Sequence, residues 1–150
     1  MANIFEPEWD AERDEEPFRW RRARIGRQAG MRELGASLFE LAPGGASFPL
    51  HAHLNNEEAI VVLAGRPTLR TNDGERELAA GEVVACPAGV EGAHRLDNRS
   101  AEPVRVLIVS TMRAPDVNVF PDEGTYWVRT YIPGTDAGPD DLDVHLRPVD

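Results

Sequence analysis

Between Leu34 and Met112 short apolar runs alternate with turn formers, and no helical period persists for three turns. The pattern predicts strands over 36–41, 48–53, 58–64, 67–72, 76–79, 82–86, 93–97 and 104–112. Between them lie Pro43-Gly44-Gly45, Gly65, Asn72-Asp73-Gly74, Ala80-Gly81, Pro87-Ala88-Gly89 and Asn98-Arg99-Ser100, all residues that favour turns. Asp73-Gly74 sits between Leu69 and Leu78 as a tight hairpin turn would. Many short strands at close spacing predict an all-β protein, an antiparallel sandwich or barrel.

The flanks follow other patterns. In residues 1–33, Glu6, Glu8, Asp10, Glu12, Asp14, Glu15 and Glu16 precede Arg19, Arg21, Arg22, Arg24, Arg27 and Arg32. This stretch is expected to be an N-terminal arm packed on the barrel or on a partner. The arginines beside Trp20 resemble a phosphate or nucleic-acid grip, but pairing with the nearby acidic residues accounts for them more simply. Residues 113–150, rich in Pro, Asp and Gly, form a C-terminal extension of the same single domain. They contain one predicted strand, 125–132, whose Tyr126, Trp127 and Tyr131 are expected to close one end of the barrel; burial against a partner is the alternative.

Composition narrows the function. The 150 residues suffice for one core, and 26 acidic side chains against 16 basic ones give a formal charge of −10. All 16 basic residues are arginine, which excludes lysine Schiff-base chemistry and a P-loop lysine. So acidic a chain is not expected to bind nucleic acid or an anionic membrane surface. The longest apolar run, 59–64, is far below the roughly 20 residues that span a bilayer. A single cysteine and an N-terminus without a signal-peptide pattern lead us to expect a cytoplasmic protein. Cys86 reads as a small buried hydrophobe, since the sequence sets no His or Arg beside it.

Two of the four histidines are spaced His51-x-His53, which on a strand puts both imidazoles on one face about 6 to 7 Å apart. Glu58 opens an apolar strand, where a carboxylate needs a cation to offset its desolvation. His94 follows on a later strand, while His145 stands in the acidic tail as a surface residue. Three imidazoles and one carboxylate make a ligand set for a divalent first-row metal.

The stretch Gly45-x5-His51-x-His53-x4-Glu58-x6-Gly65 resembles the first motif of the cupin superfamily at every position. Gly81-x5-Pro87-x-Gly89-x4-His94-x3-Asn98 resembles the second, with two more residues than usual between Gly89 and His94 and with Glu82 where Asp is commoner. The resemblance covers about residues 34–112. It implies a double-stranded β-helix, the cupin jelly-roll barrel, holding one divalent metal (Zn, Mn, Fe or Ni) through His51, His53, Glu58 and His94. Glu57 is the rival carboxylate, but only Glu58 fits both motif spacings, so Glu57 is expected on the outer face. The resemblance further implies a small-molecule ligand, handled either by a metal-dependent enzyme of oxygenase, hydrolase or isomerase type or by a non-catalytic binding or sensing protein. A site that has lost its metal, its imidazoles bonded to carboxylates and water, is the alternative. Strand alternation predicts a mostly apolar interior lined by Pro49, Ile60, Val62, Leu96 and one face of 104–112, which favours oxygen chemistry or simple binding over sugar isomerisation. Arm and aromatic strand together lead us to expect a homodimer.

Overall fold

The computed structural model describes residues 1–133 and 135–148. Why the central strands pair as they do is clearest at β3 (Leu34–Leu41) and β10 (Val104–Thr111), which lie antiparallel with Phe39 opposite Val106 and Leu41 opposite Val104. Alternate apolar residues on both strands face one interior, and each fully buried one contributes about 1.5–3 kcal/mol. β5 (Glu58–Ala64) and β8 (Val83–Cys86) extend the sheet on one side, and β1 (Ala11–Glu15) and β2 (Phe18–Ala23) on the other, in the order β1-β2-β3-β10-β5-β8.

Two smaller sheets form the opposing layer. One contains β6 (Thr68–Thr71), β7 (Gly74–Glu77) and β9 (His94–Asp97), in the order β7-β6-β9. The other contains β4 (Ala52–His53), β11 (Asp116–Phe120), β12 (Thr125–Arg129) and β13 (Asp143–Leu146), in the order β13-β12-β11-β4. A single antiparallel bridge, His51 with His94, joins these two sheets. Phe39, Leu41, Ile60, Val62, Leu69, Leu78, Leu96, Val104 and Val106 fill the space between the layers. The all-β antiparallel fold therefore matches the pattern of the sequence.

Local departures have physical reasons. The run expected over 48–53 is regular only at Ala52–His53, because Pro49 brings no N–H to a ladder. The strand expected over 76–79 begins earlier, at Gly74. Strands β1 and β2 and the short helix α1 (Ile25–Ala29) arise from the charged arm, where no apolar alternation signals them. The arm is held instead by pairs between Arg19 and Asp14 at 2.9 Å and between Arg22 and Asp10 at 3.0 Å. Arg21 joins β2 to β3 through Glu40 at 2.7 Å. Ile25 and Ala23 bury against Leu38, so β3 is covered on both faces, and Trp20 packs edge-on to Phe39 at 5.6 Å. Gly65 turns the chain after β5 with φ +83, and a side chain there would meet Val104 Cγ2 at 2.7 Å. Among the described residues no helix is long and apolar enough to cross a membrane.

Candidate metal centre

The bridge between His51 and His94 brings the two ends of the opposing layer together, and the histidines collect there. His51 and His53 extend from the same short segment, with ring centroids 5.3 Å apart. His94 opens β9 across the bridge, its ring centroid 4.7 Å from that of His51. Glu58, the first residue of β5, reaches across from the large sheet. Its Oε2 lies 3.2 Å from His94 Nε2 and 3.6 Å from His53 Nε2. One donor atom each from His51, His53 and Glu58 lies within 4.8 Å of the others. Four donors about 2.1 Å from one ion stand about 3 to 4 Å apart, so a small inward shift of side chains suffices. His94 is not one of these three, but it stands against them through its contacts with Glu58 and His51. Glu57 is exposed, and His145 is exposed and stacked on Trp127 at 5.1 Å.

Each imidazole has its Nδ1 against an oxygen. For His51 the partner is the Pro49 carbonyl at 3.0 Å, for His94 the Gly92 carbonyl at 2.9 Å, and for His53 the Asp116 carboxylate at 2.6 Å. Nδ1–H donates in each case, which turns the Nε2 side of each ring toward Glu58, with the His94 Nε2 proton donated to that carboxylate; this is how outer partners orient ligating histidines. The two extra residues before His94 serve this arrangement. The segment between Gly89 and His94 contains a single 3-10 turn, Val90–Gly92, that puts the Gly92 carbonyl under Nδ1. Only glycine fits at position 92, because a Cβ would sit 1.9 Å from the Pro87 carbonyl oxygen. Asn98, the last residue of the second motif, is structural: its side-chain amide donates to the carbonyls of Leu41, Ala42 and Glu102.

Electrostatics follow from the crowding. Burial lowers the His51 pKa to about 3, and the nearby His94 and His53 add to the effect. Burial opposes charge on Glu58, but the hydrogen bond from His94 and the charges of His53 and His94 hold its pKa down at about 2. Burial likewise opposes charge on His94, yet Cys86 and Glu58 together push its pKa up. His94 and Glu58 thus form an ion pair when no cation is bound. Burial opposes charge on Asp116 too, and the His53 hydrogen bond outweighs it, lowering its pKa to about 2. Cys86 is buried, as expected, and its pairing with Glu58 across β5 and β8 sets the thiol next to His94, a neighbour the sequence does not place there.

The cluster opens on a cavity of about 1150 Å³. Of the predicted lining, Pro49, Leu96, Ile108, Ser110 and Met112 face it, whereas Ile60 and Val62 are buried in the core between the sheets. The lining surface is mostly apolar, as expected, but one part of it is polar. The C-terminal extension adds Asp116, Asn118 and Arg129, and Trp127 and Tyr131 stand in the same wall. Asn118 pairs with His53 across β4 and β11, and its Nδ2 is 3.4 Å from His53 Nε2. Arg129 Nη2 donates to Asn118 Oδ1 at 3.2 Å. The sequence reading missed Asp116 and Asn118, although their alternation with Val117 and Val119 is the same i, i+2 signal that marked His51 and His53.

A family model for the cupin domain, Cupin_2, matches residues 37–110. No curated protein matches the sequence. Among solved structures, this chain is similar to a cupin-superfamily sugar phosphate isomerase from Silicibacter pomeroyi, with TM-score 0.77 and 23% identity over 93% of this chain and 98% of that one. It is similar to a proposed sugar phosphate isomerase from Acidithiobacillus ferrooxidans, with TM-score 0.74 and 24% identity over 91% and 84% of the two chains. A third likeness is the polyketide cyclase RemF from Streptomyces resistomycificus, with TM-score 0.63 and 25% identity over 80% and 84%.

Proposed function

Because this chain is a small cupin-domain protein, we propose that His51, His53, Glu58 and His94 hold one divalent first-row metal (Zn, Mn, Fe or Ni) that binds a small organic ligand in the cavity. The observation that carries this reading is the occupation of all three Nδ1 atoms, which turns the Nε2 side of each imidazole and one ionised carboxylate toward the same place. When bound, the metal supplies a Lewis acid with open positions for a ligand oxygen. Asp116 fixes the His53 tautomer, Asn118 and Arg129 offer donors to the ligand, and Phe39 and Phe120 exclude water from one wall.

Asp116, Asn118 and Arg129 in the cavity wall supply the polar contacts an isomerase-type enzyme needs, and two structurally similar proteins bear sugar phosphate isomerase names. A second reading, binding without turnover, is favoured by a specific feature: Glu58 and Asp116, the two carboxylates at the centre, are both engaged by histidines. The proposal extends to a cytoplasmic homodimer, with β13 as an edge strand presenting exposed Val144 and Leu146; light scattering that gives a monomer at high micromolar concentration contradicts that part. Elemental analysis of protein purified without added metal tests the core of the proposal. About one equivalent, lost in His53→Ala, is expected; less than about a tenth of an equivalent in the natural sequence overturns it.

A further inference from the structure

Ten of the sixteen arginines have a carboxylate within 4.0 Å. Among the described residues the other six do not, and four of those six, Arg24, Arg27, Arg32 and Arg129, line the metal-centre cavity. In a chain of net charge −10, so many unpaired cations around one cavity call for a ligand explanation.

Arg129 is the most constrained of them. Its guanidinium lies 4.1 Å over the Trp127 ring, and Trp127 is itself fixed by stacking on His145 and by donation to Asp143. Nη2 is held by Asn118, while Nε is buried with no partner among the described residues. A buried N–H left unpaired is costly, and a bound oxyanion would satisfy it. Asn118 also touches His53, so this guanidinium sits one side-chain amide away from the metal cluster. Arg24, on another part of the wall, is half-buried. Burial and the nearby Arg22 and Arg27 lower its pKa, against the pull of Asp10. Asp10 is already occupied, one oxygen taken by Arg22 and the other by the Arg24 backbone N–H. Of the carboxylates in the cavity wall, Glu58 and Asp116 belong to the histidines, and Glu123 and Asp136 are exposed.

We propose that Arg129, supported by Arg24 and by Arg27 and Arg32 at the rim, forms an oxyanion subsite, so that the ligand is a small molecule carrying a phosphate or carboxylate group at one end and a metal-binding oxygen at the other. The planar guanidinium fork suits both oxyanions. The inference rests on the cavity being the ligand site, and it deepens the proposed function by naming the class of ligand.

Calorimetric titration of chelator-treated and metal-loaded protein with inorganic phosphate and with acetate tests it. Saturable binding of at least one anion to both forms is expected, with tighter phosphate assigning a phosphoryl group and tighter acetate a carboxylate. Arg129→Ala is expected to weaken that binding at least about tenfold without loss of metal content, and Arg24→Ala to weaken it in the same direction. Arg147→Ala, an exposed tail residue away from the cavity, is expected to leave it unchanged. Thermal melting on the same samples identifies a variant that fails to fold, in which case Arg24→Ala carries the test. The inference is overturned if neither anion binds, if the folded cavity variants match the natural sequence within twofold, or if Arg147→Ala falls as far as Arg129→Ala. Anion binding that depends on Arg129 in a protein that takes up no metal would leave this inference standing and remove the metal reading.

Discussion

Two of the three imidazoles at the centre are oriented locally and one is oriented from a distance. His51 and His94 each donate to a carbonyl two residues back along the chain, at Pro49 and Gly92. His53 donates to Asp116, 63 residues away on β11 in the C-terminal extension. Backbone carbonyls persist under side-chain substitution, whereas a carboxylate can be removed by one. The barrel motifs thus build most of the cluster, and the extension, outside the region matched by the family model, orients His53 and adds the polar part of the wall.

The largest expected effect lies on the ligands themselves. Glu58→Ala removes the anionic donor, so metal affinity should fall by more than a hundredfold in a calorimetric titration. Asp116→Ala should cost about 10–100-fold in metal affinity through loss of the His53 tautomer, while Pro49→Ala, which keeps the carbonyl, should change it less than about twofold. Equal losses at the two positions would erase the distinction between local and distant support.

The pH dependence sharpens the same contrast. His94 has its pKa raised, so metal must displace a proton there, and affinity should rise with pH across the neutral range by up to about tenfold per unit. Without metal, the His51 pKa of about 3 lies below its unfolded value near 6.5, so only the unfolded chain takes up that proton in between. Glu58 and Asp116, both lowered to about 2, act in the same direction. Their contributions are present above the unfolded pKa values and are lost as pH falls through the window down to about 2, so acid should lower the melting temperature of metal-free protein. The His94 contribution is opposite in sign, being complete below pH 6.5 and lost on the alkaline side as pH passes its raised pKa. A melting temperature flat from pH 6.5 to 3 would contradict this account.

Smaller effects test the framework. Gly92→Ala forces a Cβ onto the Pro87 carbonyl and should destabilise the fold by about 1–3 kcal/mol in denaturant unfolding while misaiming His94. Asp14→Ala, which breaks an exposed pair in the arm, should cost no more than about 1 kcal/mol.

What could be read in the sequence divides along the same line. Strands β3, β5, β8, β9 and β10 follow from apolar alternation, and the two cupin-like motifs mark His51, His53, Glu58 and His94, because these features are local. Hairpin β1–β2 could not be read, since cross-strand ion pairs hold it with no apolar period. Asp116, Asn118 and Arg129 could not be assigned to the centre, since what brings them there is the pairing of β11 with β4 and β12. Ile60 and Val62 were misplaced for the same reason: alternation told which residues point inward, but not which part of the interior is cavity and which is packed core.

Anomalous diffraction at the absorption edge of the metal that co-purifies tests the central claim most directly. The account predicts one peak bound by the Nε2 atoms of His51, His53 and His94 and by Glu58. Ligation through any Nδ1, a peak elsewhere, or no peak in metal-supplemented crystals would contradict it.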